Sequence, residues 1–316
     1  MSVLTPARVA EQAAMLANRV SRRFRHLRPR MERANVGAYR LYDRDIPEVR
    51  AVVDWYEGHL VVGEYARAQT DRVDDWVGSM ARAVAAALGV PEDHVHTRSR
   101  QTRPERGERY ERLDTQGERL VVREGPLRFY VNLDDYLDTG LFTDHRITRA
   151  LVTAESAGKR VLNLFGYTGS FTCAAAQGGA ASTTTVDLSG RYLDWTRDNL
   201  ALNGLASAAH VTRREDAVWF LRDEARAGRR YDLAVLDPPS FSTKGGVDGL
   251  DVQRDHRGLV EATLELLAPG GALLFSTNHQ RFEPRLDGLD AREITAQTLP
   301  EDYRGRTPHR CWRLTR

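Results

Sequence analysis

Asn163-Leu164-Phe165-Gly166-Tyr167-Thr168-Gly169-Ser170 decides the fold. It joins an apolar, strand-like run at 161–165 to a helical pattern at 170–177 through two glycines. Glycine lets a backbone turn tightly and approach a ligand closely. Gly166 and Gly169 therefore mark a strand–loop–helix cradle of the kind that holds nucleotides in open α/β sheets. The spacing is not G-x-G-x-x-G, and no Gly-Lys-Ser/Thr follows, so neither a dinucleotide fingerprint nor a Walker A loop is present. A tight turn of purely structural purpose is the alternative.

Outward from this loop the rhythm continues. Strand-like runs at 182–186, 210–212, 231–236 and 272–276 alternate with helical patterns at 190–203, 217–227 and 251–267, and 312–315 reads as a last strand. Such alternation predicts a parallel sheet with helices on both faces, a Rossmann-like α/β fold. The second strand ends in Asp187, about 20 residues past the loop, where an acid is placed to bind ribose hydroxyls. The other reading is a helix N-cap by Asp187 or Ser189. Asp216, after the third strand, is placed to accept from an adenine amino group, although a lone acid there is as often a cap. The fourth strand ends in Leu236-Asp237-Pro238-Pro239-Ser240-Phe241. Two prolines fix an extended, rigid turn that presents Asp237 and the Pro238 carbonyl as acceptors, and Phe241 offers a ring for stacking. Acceptors beside an aromatic plate suit a planar nucleobase.

Upstream, residues 5–36 read as one amphipathic helix with Val9, Ala13, Leu16, Val20, Phe24, Leu27 and Met31 on a single stripe. Pro29 is expected to kink or end it. Residues 37–132 predict a small α+β module. It has strands at 49–55 and 59–65 joined by Tyr56-Glu57-Gly58, a helix at 73–88 stopped by Gly89 and Pro91, and strands at 95–97, 120–123 and 127–133. Residues 98–119 read as a polar, Arg-rich loop, and Lys244-Gly245-Gly246 as a loop over the site. The domain boundaries so expected are 1–36, 37–132 and 133–316.

Hydrophobic residues at 41% and charged residues at 28% exclude a mostly disordered chain of this length, 316 residues. No apolar run approaches the ~18 residues of a membrane span. The first residues lack the charged and apolar regions of a secretory signal, which points to the cytoplasm. Two cysteines, Cys173 and Cys311, cannot build a disulfide framework or a Cys-only metal site. His145, His256 and His279 are not spaced as a metal set, so no metal is expected. The net charge of +2 hides an asymmetry, since residues 1–36 hold eight Arg against two Glu. A GC-rich genome explains why 44 of the 46 basic residues are Arg, but not that clustering. The basic arm points to a polyanion, although a docking helix with a solvated basic face is an equal reading.

The order of glycine loop, ribose acid, adenine acid and D-P-P-S-F resembles a class I S-adenosylmethionine-dependent methyltransferase. Several segments are more specific. Phe129-Tyr130-Val131-Asn132-Leu133-Asp134-Asp135-Tyr136-Leu137-Asp138-Thr139-Gly140-Leu141-Phe142-Thr143-Asp144-His145-Arg146 is one, and Asp251-Val252-Gln253-Arg254-Asp255-His256 is another. With Tyr39-Arg40-Leu41-Tyr42-Asp43 and Val62-Gly63-Glu64-Tyr65-Ala66, they resemble the guanine-N7 half of the bifunctional 23S ribosomal RNA methyltransferases over nearly the whole chain. The resemblance implies a free-standing version of that half, acting on 23S ribosomal RNA with S-adenosylmethionine, as monomer or homodimer and without a membrane. It implies a cofactor set of Asn163, Phe165, Gly166, Tyr167, Thr168, Gly169, Asp187, Leu188, Asp216, Ala217 and Asp237. It also implies Arg146 on the methionine carboxylate, and Asp237, Pro238, Pro239 and Phe241 at the target base.

N7 of guanine has a free lone pair and needs no deprotonation, so catalysis reduces to holding nitrogen, methyl carbon and sulfur in line in a dry site. Cytosine-C5 methylation is a rival that needs a nucleophilic Cys, and the fourth- and fifth-strand ends carry Ser240 and Ser276 instead. Methylation of an exocyclic amine (guanine N2 or adenine N6) is a second rival, and a non-catalytic ribosome-assembly factor a third. A hydride-transferring dehydrogenase is poor without its fingerprint.

Overall fold

A computed structural model describes residues 4–65, 75–100, 118–135, 138–242 and 249–316. The polar stretch within 101–117, the start of the helix expected at 73, Tyr136 with Leu137, and Lys244-Gly245-Gly246 lie outside the described residues. The chain forms two compact units. One comprises residues 1–126 with 131–139, and the other residues 127–130 with 140–316.

The first unit begins with α1 (Pro6–Arg33), whose N-cap Thr5 accepts from the Arg8 N–H and whose first residue is a proline with its φ already set. It continues through β1 (Ala38–Asp43), β2 (Ala51–Tyr56), β3 (His59–Tyr65), α2 (Trp76–Leu88), β4 (Val95–Arg100) and β5 (Leu120–Glu124). The sheet order is β1-β2-β3-β4, antiparallel except for the parallel β3–β4 pair. The apolar stripe of α1 shares one core with Tyr39, Leu41, Val53, Leu60, Val62, Met80 and Val84. The helix set apart as residues 1–36 in the sequence thus packs within this unit, as a docking helix does. It also runs through Pro29 to Arg33, because Leu27 and Met31 on either side stay buried and outweigh one missing backbone bond. Glu57 and Gly58 both have positive φ (46° and 98°), the primed turn that matches the twist of a hairpin. Strand β1 is hidden in the sequence because Arg40 interrupts its apolar run. Its guanidinium is paired with Asp54 at 2.8 Å and Asp43 at 3.2 Å.

The second unit takes in most of β6 (Leu127–Val131), then α3 (Arg146–Glu155), β7 (Arg160–Leu164), α4 (Ser170–Gln177), β8 (Ser182–Asp187) and α5 (Gly190–Leu202). It continues with β9 (His210–Arg214), α6 (Ala217–Arg226), β10 (Tyr231–Leu236), the short pair β11 (Phe241–Ser242) and β12 (Leu250–Asp251), and α7 (Val252–Glu265). β13 (Leu267–Thr277), β14 (Ala291–Glu293), α8 (Thr295–Thr298) and β15 (Arg310–Thr315) complete it. The sheet order is β14-β15-β13-β10-β7-β8-β9. β13, β10, β7, β8 and β9 are parallel, β15 runs antiparallel to β13, and β14 antiparallel to β15 at one side. The chain starts at β7, winds out to β9, and returns to β10 on the other flank of β7. The crevice outside the carboxyl ends of β7 and β10 is therefore the topological switch point, where open α/β sheets bind ligands. Helix α3 is hard to read from the sequence, since its buried face carries Arg146, Thr148 and Arg149 beside Val152 rather than an apolar stripe. Among the described residues no helix is long and apolar enough to cross a membrane.

Candidate active site

The glycine loop leaves β7 at that switch point. Phe165, Tyr167 and Gly169 all have positive φ, at 55°, 49° and 75°. For the two non-glycine residues this costs about 1–2 kcal/mol each, so the surroundings must hold it. They do. Gly166 N donates to Val186 O, Tyr167 N to Asp187 Oδ2 and Gly169 N to Gly166 O, each at 2.9 Å. Thr168 Oγ1 donates to Gly140 O at 2.6 Å, and Asn199 Nδ2 to Thr168 O at 2.9 Å. Strain concentrated and braced in this way is typical of a binding loop. Gly166 leaves no room for a side chain, because a Cβ there would sit 2.3 Å from Thr185 Cγ2.

Asp187 ends β8 with one oxygen on the Tyr167 N–H and the other on the Ser189 N–H at 2.8 Å. Burial pushes its carboxyl up from the ordinary value against those two backbone donors. Ser189, not Asp187, caps α5. Each carboxylate oxygen keeps acceptor capacity for a further hydroxyl donor. Asp216 caps α6 with Oδ1 on the Val218 and Trp219 N–H groups, at 2.9 and 3.3 Å. The cap reading is therefore what its Oδ1 shows, and Oδ2 lies outside that cap. Leu188, next to Asp187 in the chain, is exposed, and Ala217, next to Asp216, is small and buried. These residues suit a nucleoside: a desolvated acid for ribose hydroxyls, a small apolar flank for a base, and a braced loop for the remainder.

Two members of the expected set have partners within the fold. Asn163 is buried with Nδ2 on Thr172 Oγ1 at 3.0 Å, so its side chain braces the loop from behind. Arg146, expected on a methionine carboxylate, has a partner within the chain. It lies buried in an ion pair with Asp302 at 2.5 Å, and a desolvated carboxylate of the fold itself holds the guanidinium in place. The Asp251-Val252-Gln253-Arg254-Asp255-His256 segment makes bonds within the fold. Asp251 caps α7, Arg254 pairs with Asp255, and His256 Nε2 accepts from the Arg285 N–H.

Across the switch point, Asp237 ends β10. Ser276 Oγ on β13 donates to its Oδ1 at 2.6 Å. Its Oδ2 faces His145 Nε2 at 3.6 Å. Pro238 is buried and Pro239 half-buried, while Phe241 is 53% exposed with its edge toward the His279 ring. Ser240 Oγ donates to Asn278 Oδ1 at 2.7 Å. Sequence spacing brought out Asp237 but not Ser276, His145 or His309, which arrive from three other elements. Cys311 also comes close, as the partner of Ser276 in the β13–β15 register. Burial and the nearby Asp237 charge push its thiol well above the ordinary range, so it is no nucleophile at neutral pH.

Among the described residues, Asp144, His145 and His309 bring possible ligand atoms within 4.8 Å of one another. The imidazoles stack at 4.0 Å with an 18° tilt, so their in-plane lone pairs run side by side and do not converge on one ion. His309 Nδ1 is bonded to Asp144 Oδ2 at 2.8 Å and its Nε2 lies 3.1 Å from Thr298 Oγ1. This is a hydrogen-bonded cluster.

Residues 39–302 match the S-adenosylmethionine-dependent methyltransferase family. The chain belongs to that family. S-adenosylmethionine is accordingly its cofactor. The ribosomal RNA large subunit methyltransferase K of Neisseria meningitidis serogroup B is 42% identical over 307 residues, covering 94% of this chain and 86% of the relative. The ribosomal RNA large subunit methyltransferase K/L of Allochromatium vinosum is 44% identical over 321 residues, 98% of this chain but 43% of the relative. The chain thus spans less than half of the K/L relatives it matches. A Streptococcus mutans structure described as a SAM-dependent methyltransferase superposes with TM-score 0.79 at 22% identity, covering 96% of this chain and 81% of the other. A second methyltransferase structure, complexed with SAH, gives TM-score 0.73 at 22% identity over 95% and 82%. Both likenesses speak for the fold.

Proposed function

We propose that the chain transfers a methyl group from S-adenosylmethionine to N7 of a guanine in large-subunit ribosomal RNA. The observation that carries this reading is the kinship with the Neisseria methyltransferase K along 94% of the chain, joined to the paired glycine loop and Asp237 turn at one switch point. In this reading Asp187 takes the ribose hydroxyls, Leu188, Asp216 and Ala217 border the adenine, and Phe165, Gly166, Tyr167, Thr168 and Gly169 shape the loop around the methionine part. When bound, the cofactor supplies a methyl group already activated on a sulfonium. The protein has to present the acceptor nitrogen in line and keep water out.

Asp237 anchors the guanine edge, Pro238 and Pro239 fix the angle of that anchor, and Phe241 stacks on the base. N7 attacks with its own lone pair, so no proton needs to leave it. The ring becomes cationic, and a carboxylate already oriented by Ser276 stabilises that charge without reorganising. The buried, protonated Cys311 weighs against cytosine-C5 chemistry, which needs a thiolate. The exposed arginines of α1, on a helix whose other face is core, offer phosphate contacts for the RNA.

The test is transfer of labelled methyl to 23S ribosomal RNA followed by nuclease digestion and chromatography. Label in 7-methylguanosine supports the reading. Label in N2-methylguanosine, N6-methyladenosine or 5-methylcytidine overturns it.

A further inference from the structure

His145 is buried and belongs to none of the expected site roles, yet its Nε2 is aimed at the carboxylate that the proposed function depends on. It ends a 3-10 turn, Thr143–His145, and occupies the N-cap position of α3 without a side-chain cap bond. Its Nδ1 lies 3.4 Å from Thr148 Oγ1, whose hydroxyl can donate to it, leaving the proton on Nε2. From there Nε2 looks at Asp237 Oδ2 at 3.6 Å and at Asp144 Oδ2 at 3.9 Å. The ring is held by two aromatic neighbours, stacked on His309 at 4.0 Å and in a T-shaped contact with Phe171 at 5.5 Å. Asp237 is thus bracketed, with Ser276 on one oxygen and an immobilised imidazole opposite the other.

We propose that His145 is a positioning residue for methyl transfer: neutral, it holds Asp237 Oδ2 in the orientation that receives the target base, and protonated, it pairs with that carboxylate and withdraws it. The inference rests on the reading of Asp237 as the base anchor. The separation of 3.6 Å leaves the carboxylate able to tighten toward His145 or toward the base, and the charge on the imidazole decides which.

The groups facing the ring set its charge state. Burial disfavours the imidazolium and outweighs the help from Asp237 and Asp144, while His309 and Arg149 oppose it further. The positive end of α3 acts in the same direction. The neutral form therefore prevails at pH 7, and protonation comes only below the ordinary imidazole value. No proton is consumed or released in the transfer itself, so His145 acts through Asp237 and not on the base.

Two variants test this. His145→Phe keeps a ring for the stack on His309 and removes both nitrogens. His145→Gln keeps a neutral donor and cannot take a charge. Methyl transfer to ribosomal RNA is followed from about pH 5 to 8, with kcat, the KM for S-adenosylmethionine and cofactor binding read separately. In the wild type kcat falls as pH drops below the ordinary imidazole range. Both variants lose that acid fall. His145→Phe drops kcat at least tenfold at neutral pH with cofactor binding unchanged, and His145→Gln recovers part of the loss. An unchanged acid fall in both variants, or a wild-type kcat in His145→Phe, overturns the proposal.

Imidazole NMR supplies a readout without turnover. Asp237→Asn must lower the His145 midpoint, because a facing negative charge is gone, and an unmoved midpoint also overturns it. Asp237→Asn further separates the two readings. If that variant transfers at the wild-type rate, the base-anchor reading itself fails. If it is inactive while both His145 variants behave as wild type, only the role of His145 fails.

Discussion

Gly166→Ala puts the glycine loop under a defined load. The new Cβ falls 2.3 Å from Thr185 Cγ2 and 3.3 Å from Asn163 Nδ2, and the first distance is closer than two carbons can come. Thr185 cannot retreat readily. It is fully buried, β8 is paired on both sides by β7 and β9, and its hydroxyl sits 2.6 Å from Thr172 Oγ1. The loop moves instead, which loosens the Gly166 N to Val186 O and Tyr167 N to Asp187 Oδ2 bonds.

Overpacking of this kind costs about 1–3 kcal/mol of stability. Displacing the cradle by enough to lose one or two cofactor hydrogen bonds costs about 1–3 kcal/mol more in binding, roughly a ten- to hundredfold weaker Kd. Thr185→Ser deletes the methyl in the clash and keeps the hydroxyl, at about 0.8 kcal/mol for the lost carbon alone. In the double variant the loop settles back, giving a coupling of about 1–2 kcal/mol. Calorimetry with S-adenosylmethionine and urea unfolding of the four proteins measure both quantities. Wild-type affinity in Gly166→Ala, or a double variant that binds no better than the single, refutes the reasoning.

Other outcomes follow from the same geometry. Asp237→Ala is expected to abolish methyl transfer while S-adenosylmethionine binds within about threefold of wild type, and calorimetry beside a transfer assay shows whether the two separate. Burial holds His59, His145, His210 and His256 below the ordinary imidazole value. The unfolded chain therefore binds more protons, and the stability these groups contribute is present above about pH 6.5 and lost as pH falls below it. Urea midpoints that stay level from about pH 7 to 5 would count against those burials. Replacing Arg22, Arg25 and Arg33 of α1 by Gln should weaken RNA binding and flatten its salt dependence, by roughly 0.7–0.9 in log–log slope for each phosphate no longer neutralised. An unchanged slope leaves α1 as a packing helix. Truncating residues 1–36 is not an alternative, since Leu16, Val20 and Leu27 belong to the core of the first unit. Cys311→Ser is expected to transfer methyl groups at close to the wild-type rate, and inactivity with intact folding would revive the cytosine-C5 chemistry.

Much of the parallel sheet was legible because its strands are short apolar runs separated by helices with ordinary caps. The run 231–236 and the helix 170–177 coincide with β10 and α4. The elements that escaped have polar interiors. Arg40 breaks the pattern of β1 through a half-buried ion pair, and α3 buries two arginines and a threonine. Within the site, residues on one strand–loop segment were legible, because spacing along the chain is all that a sequence displays. Asp187 and Asp237 belong to that class. Ser276, His145 and His309 do not, since they meet Asp237 or one another only after β13, α3 and the approach to β15 are brought together. The sequence also could not show that Arg146 pairs with Asp302, 156 positions later.

The central claim, methylation of a guanine N7 in large-subunit ribosomal RNA, is met most directly by mapping that RNA in cells lacking the gene and in cells with it restored. Borohydride reduction and aniline cleavage cut the strand at 7-methylguanosine. The account requires one cut to vanish without the gene and return with the wild-type protein but not with Asp237→Ala. An identical cleavage pattern in all three strains contradicts it.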